Sequence, residues 1–199
     1  MHYFYKMKVD YIVVGLGLAG LAFVEKLIEN NKSFIVFEDD SQTSSLVAGG
    51  VYNPVILKRF TPVWNGHQQL QEALPFYQKL EEKFHQKFDF SFTTKKVFKS
   101  IEDENNWFAA LDKPMLSTYM KSEISREKVA GVIAGFGFGQ LIGTGRIDTH
   151  KLVSTYREYL QKEEKIKFEN FDYSQIKFTD TKVNYKSITS SRIIFCEGF

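Results

Sequence analysis

The sequence predicts an α/β fold, in which a largely parallel sheet opens with a strand–helix–strand unit and carries an inserted α+β lobe. Two short apolar runs, VDYIVV at 9–14 and FIVF at 34–37, flank a stretch of helical periodicity. Four further runs of strand length close the chain, at 166–171, 176–178, 183–185 and 193–195. Between these two sets, helical and alternating patterns mix over roughly 61–140, as expected of a lobe inserted into a sheet domain.

The first run is β-branched and ends at Gly15, the pattern of a buried parallel strand. In the following segment, residues 18–31, Leu18, Leu21, Ala22, Val24, Leu27 and Ile28 fall three and four apart, on one helical face. The second strand is closed by Glu38-Asp39-Asp40, and a Ser/Gly-rich loop follows over 41–54. Residues 64–84 carry Leu70, Leu74, Tyr77, Leu80 and Phe84 at helical spacing, with Pro75 expected to kink or divide the helix. Phe88, Phe90 and Phe92 alternate with polar residues as in a half-buried strand, and 95–101 is expected to pair with it. Ser100 is placed to cap a helix over 100–111, with Glu102, Asp103 and Glu104 in its first turn. A short strand is expected at 129–133. After the Gly-rich GFGFGQLIGTG, Asp148 precedes a helix carrying Leu152, Val153, Tyr156 and Leu160. The resulting division is a tail at 1–8, a sheet domain built from 9–60 and 141–199, and an inserted segment at 61–140. The apolar run at 191–199 ends where its exit turn begins, so the chain is expected to be part of a longer protein.

Composition narrows the functional classes. With 43% hydrophobic and 16% aromatic residues the chain is expected to fold around a core, which excludes a disordered or low-complexity segment. Lys and Arg number 26 against 24 acids, too even a balance to suggest nucleic acid or an anionic membrane surface. Cys196 is the single cysteine, which excludes a disulfide framework and a Cys-rich zinc site and suits a cytoplasmic protein. His2, His67, His85 and His150 show no ligand spacing, so no metal is expected. No run approaches the roughly 20 apolar residues that span a bilayer.

The chemistry is concentrated at Gly15-Leu16-Gly17-Leu18-Ala19-Gly20, a GxGxxG placed between a strand and a helix. Gly15 permits the tight turn, Gly17 lets backbone approach a pyrophosphate, and Gly20 lets the helix pack close to the strand. The helix N-terminus then offers unpaired N–H groups and about half a positive charge to the phosphates. Glu38, about 20 residues further on, can accept hydrogen bonds from ribose hydroxyls. A 2′-phosphate would meet Glu38, Asp39 and Asp40, so NADP is disfavoured. The alternating Gly135, Gly137 and Gly139 lack a following helix and are expected to form a strand–turn–strand instead.

Beyond Glu38 the chain departs from the simple doubly wound pattern, since a Ser/Gly loop and a long lobe replace a third wound strand. Here it resembles the FAD-dependent oxidoreductases of the glycine oxidase and D-amino acid oxidase family. The resemblance implies a Rossmann-like FAD-binding domain with an inserted substrate lobe. It places the backbone of Ser44, Ser45, Ala48, Gly49, Gly50 and Val51 along the flavin. It also matches Gly145-Arg146-Ile147-Asp148 to a segment opening a helix, sets Phe171-Asp172-Tyr173 where the family grips adenine through backbone atoms, and makes Gly198 part of a second glycine motif delivered by 193–195. Val24 departs from the Ala or Gly usual at its helix position. The implied activity is oxidation of an amine or amino acid C–H bond, with hydride passing to FAD. The substrate-binding residues would lie largely beyond Phe199, so no catalytic residue is assigned and the isolated chain is expected to be inactive. The segment 48–54 also resembles the flavin domain of the enzyme that matures wobble uridines in tRNA, which keeps an RNA-modifying flavoprotein as an alternative. A non-catalytic FAD-binding module is another.

Other candidates have plainer readings beside them. Tyr52, Lys58 and Arg59 could face substrate, with Arg59 or Arg146 holding a carboxylate, but a solvated basic turn and, for Arg146, an exposed helix-entry cation are the preferred readings. Phe88, Phe90, Phe92, Phe136 and Phe138 could wall a pocket, but such residues are more often core. Cys196, in a buried-looking strand, is expected to be inert, and residues 2–8 to be an unstructured lead-in.

Overall fold

Strand β1, Met7–Val14, lies at the centre of a sheet because its last three residues are buried on both faces. Its neighbours β2, Phe34–Glu38, and β11, Ile188–Phe195, both run parallel to it. The structure is a computed structural model and describes residues 7–41 and 43–198. Among the expected lead-in residues, 2–6 lie outside the described residues, whereas Met7 and Lys8 belong to β1 and pair with Ile188 and Thr189.

Helix α1, Leu18–Glu29, crosses from β1 to β2 with Leu21, Val24 and Leu27 buried, and Val24 is fully enclosed. The chain divides into two compact units, 1–48 with 149–199 and 49–148, where the sequence suggested an insertion at 61–140.

In the first unit, the 41–54 loop begins with one helical turn, α2, Ser44–Val47. The chain re-enters at α5, Thr149–Lys162, which buries Leu152, Val153, Tyr156 and Leu160. Tyr156 Oη donates 2.6 Å to Glu25 Oε2 and ties α5 to α1. Strand β8, Ile166–Phe168, is shorter than the expected 166–171 and pairs parallel with β2. Strands β9, Ile176–Phe178, and β10, Val183–Tyr185, extend the sheet antiparallel, giving the order β8-β2-β1-β11-β10-β9. Strand β11 is longer than expected because the polar residues 189–192 continue it toward its N-terminus. Ile12, Val14, Ile35, Phe37, Phe171, Tyr185 and Ile188 pack one side of this sheet, with Phe171 stacked on Tyr185.

The second unit is built on β6, Asp89–Val97, and β7, Phe138–Ile147, which pair antiparallel. Residues 95–97 therefore continue the Phe90–Phe92 strand past a bulge instead of pairing back on it. Likewise the GFGFG segment feeds one ten-residue strand after a turn at 134–137, rather than a strand–turn–strand. Residues 129–133 form a turn, closed by Val132 N donating to Val129 O, and not a strand. Strand β3, Val51–Tyr52, edges this sheet, and β4, Val55–Ile56, pairs with β5, Thr61–Pro62. Helix α3, Gly66–Phe84, runs through Pro75 without dividing. Helix α4, Ile101–Leu111, is capped as expected, with Ser100 Oγ accepting from Asp103 N. Trp107, fully buried, centres this unit's core against Phe60 and Phe98.

Candidate functional site

In the first unit the strand order reverses at β1, since β2 and β8 are laid on one side of it and β9, β10 and β11 on the other. That reversal opens a crevice beyond the carboxyl ends of the strands, where open parallel sheets bind ligands. A cavity of about 320 Å³ occupies it. Its lining includes the strand ends Val14, Phe37, Glu38 and Phe195 together with the turn Gly15–Ala19.

The turn explains why small residues stand there. Gly15 has φ +90°, and a Cβ on it would lie 2.6 Å from Cys196 O. A Cβ on Gly20 would fall on the carbonyl oxygen of Gly15, so α1 sits against the turn only because that atom is missing. A Cβ on Gly17 would meet Ser45 Oγ at 2.8 Å. The same Ser45 Oγ accepts from Leu18 N at 3.1 Å. Gly17 is the N-cap of α1 and brings no capping side chain, and the first turn contains no acid. The positive end of the helix is therefore not neutralised by its own residues.

Glu38 is only 5% exposed. Its Oε2 accepts from Leu16 N at 2.5 Å, its Oε1 accepts from Asp40 N at 3.0 Å, and Arg157 Nη2 lies 3.2 Å from Oε2. Arg157 also places Nη1 2.5 Å from Asp40 Oδ1, while its Nε is buried with no partner among the described residues. A buried polar group left unpaired costs about 1–3 kcal/mol, so this guanidinium is held where it is by its two carboxylates. Asp39 lines the cavity, and the hydroxyl and amide of Ser41, with help from Asn170, hold its carboxyl below the usual range.

Of the residues selected from the sequence, Gly15, Leu16, Gly17, Leu18, Ala19, Glu38, Asp39, Ser44, Ser45 and Gly198 line this cavity. Gly20 serves the helix packing behind it. Tyr173 does not line the cavity; its phenol donates to Glu197, which does, and this bond with burial pushes the phenol up to about 12. Ala48 ends α2, and its carbonyl accepts from Thr149 Oγ1 at 3.0 Å. Gly49, Gly50 and Val51 belong to the second unit, where Gly50 O accepts from Ile147 N and Val51 pairs with Arg146.

No family model matches the chain. Its structure is similar to that of L-amino acid deaminase from Proteus vulgaris, at 16% identity and TM-score 0.68 over 97% of this chain and 48% of that one. Glycine oxidase from Geobacillus kaustophilus matches at 14% identity and TM-score 0.67, over 96% of this chain and 56% of that one. The FAD-bound, dithionite-reduced L-α-glycerophosphate oxidase of Mycoplasma pneumoniae matches at 16% and 0.62, over 94% and 53%. The chain has the fold of these enzymes. It spans about half the length of the solved structures it matches.

Sequence reasoning did not single out Arg157, because helix periodicity makes it one more polar residue of α5, and its partner Asp40 lies 117 positions away. Glu197 could have been noticed from its place beside Gly198. Cys196 lines the cavity half-buried, and burial, with the neighbouring Glu197 charge, pushes its thiol up.

The remaining candidates do other things. Tyr52 Oη donates 2.8 Å to Asp89 Oδ1, and Lys58 and Arg59 lie, both exposed, in the turn between β4 and β5. Arg146 is exposed, 3.8 Å from Asp148. Phe88 and Phe138 are buried and Phe136 packs on the Trp107 core, whereas Phe90 and Phe92 stand exposed. Among the described residues no group of His, Cys, Asp or Glu is arranged to hold a metal, and no helix is long and apolar enough to cross a membrane.

Proposed function

We propose that the first unit binds FAD and that the chain is the FAD-binding part of an oxidoreductase acting on an amine or amino acid C–H bond. The carrying observation is the crevice itself, where a helix N-terminus with no acid in its first turn and the buried carboxylate of Glu38 face one cavity. A diphosphate suits the first because the helix end is positive and the glycine turn admits close backbone approach. A ribose diol suits the second because an ionised carboxylate only accepts hydrogen bonds. Leu16 N and Asp40 N orient that carboxylate, and Phe171 and Phe195 supply apolar walls on which an adenine can rest.

The large unit inserted after β2 and the fold neighbours, one of them solved with FAD bound, favour FAD over a nicotinamide dinucleotide. FAD, when bound, supplies the two-electron acceptor for the C–H oxidation. This chain's residues bind and orient it, and Ser45 holds the amide of Leu18 at the turn.

Titration of the folded chain with FAD by calorimetry, alongside a Gly17→Val variant, tests the binding. Saturable binding at one site, lost in the variant, is expected. A folded chain that takes up neither FAD nor ADP refutes the reading. Anaerobic bleaching of the flavin by glycine, sarcosine or D-amino acids, in the chain joined to any continuation of its reading frame, tests the reaction class.

A further inference from the structure

We propose that Arg157 is a positioning residue that sets the orientation of Glu38, and through it the cavity's ability to recognise a ribose hydroxyl. This deepens, and rests on, the dinucleotide reading above.

Glu38 ends β2 and lines the cavity, and the two backbone amides that touch it, one on each oxygen, come from the turns at Leu16 and Asp40. Arg157 adds a third restraint on Glu38 from a different element, α5. Its helix is fixed by the buried face formed by Leu152, Val153 and Leu160 and by the Tyr156–Glu25 bond one residue away. The side chain is 11% exposed, so it is not a solvated surface cation. It spreads across two carboxylates two residues apart, with Nη2 to Glu38 and Nη1 to Asp40, in place of a fork on one acid. A rigid planar guanidinium held at both ends restricts the rotation of the buried partner. Among the described residues the buried Nε has no partner, which fits this arrangement, since the guanidinium turns its two terminal nitrogens to the acids.

Charge gives a second reason. Glu38, Asp39 and Asp40 stand in succession at the end of β2, and the first two line the cavity that a diphosphate would share. Arg157 offsets the first and third of them from behind, which leaves Glu38 an acceptor for a hydroxyl while reducing repulsion of the anion.

The test measures binding of ADP and of 2′-deoxy-ADP to the whole chain by calorimetry, for the parent, Arg157→Met, Arg157→Lys, Glu38→Gln and the Arg157→Met/Glu38→Gln pair. The parent is expected to prefer ADP by about tenfold, the worth of a hydrogen bond to a charged group. Arg157→Met should bring the preference to within about twofold, and Arg157→Lys, which keeps the charge and loses the fork, should give an intermediate value. Glu38→Gln should abolish the preference, and adding Arg157→Met to it should change the ratio no further.

If Arg157→Met does not fold, Arg157→Lys decides, because it keeps a cation against the buried acid. A folded Arg157→Lys or Arg157→Met that retains the full preference overturns the proposal, as does an equal loss of both ligands or a parent without preference. A parent that binds neither ADP nor FAD overturns the dinucleotide reading instead.

Discussion

Replacing Gly15 by Ala tests the geometry on which the cavity depends. Gly15 has φ +90°, a conformation that costs a residue with a Cβ about 1–3 kcal/mol. The new methyl would also lie 2.6 Å from Cys196 O, 2.8 Å from Cys196 C and 2.9 Å from Glu197 Cα. All three are backbone atoms at the end of β11 and cannot rotate away, so overpacking adds about 1–3 kcal/mol. Together the two effects amount to about 2–6 kcal/mol, a large share of the roughly 5–15 kcal/mol typical of a folded domain. Because Cys196 and Glu197 line the cavity, the displacement should weaken FAD binding as well. Urea unfolding followed by circular dichroism, with FAD titration at low denaturant, measures both effects. Gly135→Ala is the control, since nothing lies within 4 Å of its Cβ position and it needs no positive φ. If Gly15→Ala unfolds within about 0.5 kcal/mol of the parent, as a neutral surface change does, the reasoning about the turn is wrong.

Three further outcomes are expected. Trp107→Ala should lower stability by about 3–5 kcal/mol, since the indole is fully buried between Phe60 and Phe98 and its Nε1 donates 3.0 Å to Lys121 O; a urea-measured loss under about 1 kcal/mol contradicts this core assignment. Glu81 accepts from Phe88 N at 2.6 Å, Asp89 N at 2.7 Å and Lys87 Nζ at 2.9 Å; burial opposes its ionisation, but these donors hold it on balance below its ordinary 4.5. Its folded form therefore binds protons less readily than the unfolded chain, so its stabilisation is full above pH 4.5 and fades as pH falls below it. Glu81→Gln should be less stable than the parent at pH 7, and the gap should close in acid; a gap that does not change between neutral and acid pH argues against the assignment. Cys196, its thiol pushed up by burial, should react with iodoacetamide at pH 8 more slowly than a free cysteine peptide, and more slowly still with FAD present. Mass spectrometry follows the adduct, and a rate indifferent to FAD would place the dinucleotide away from β11.

How far each feature could be read in advance depends on the range of the interaction behind it. The turn at Gly15–Gly20 was legible because strand, glycines and helix are adjacent in sequence and each imposes its own short period. Ser100 was legible as a cap because the amide it accepts from is three residues away. The strand limits of β11 were not, because residues 189–192 are polar and are held as strand by pairing with β1, at the other end of the chain. Strand β6 defeated the reading for a related reason, as its bulge lets one strand continue where the alternation breaks.

By itself, then, the sequence determined the strand–helix–strand opening, the glycine turn and the acid at position 38, since periodicity and backbone sterics act between near neighbours. Apart from Gly198, which the family resemblance already placed there, the tertiary structure decided which distant residues complete the cavity. Phe195, Cys196 and Glu197 reach the glycine turn because β11 pairs with β1, and Arg157 reaches Glu38 because α5 packs on α1. Such juxtapositions arise when apolar faces are buried together, and the spacing along a chain carries no record of them.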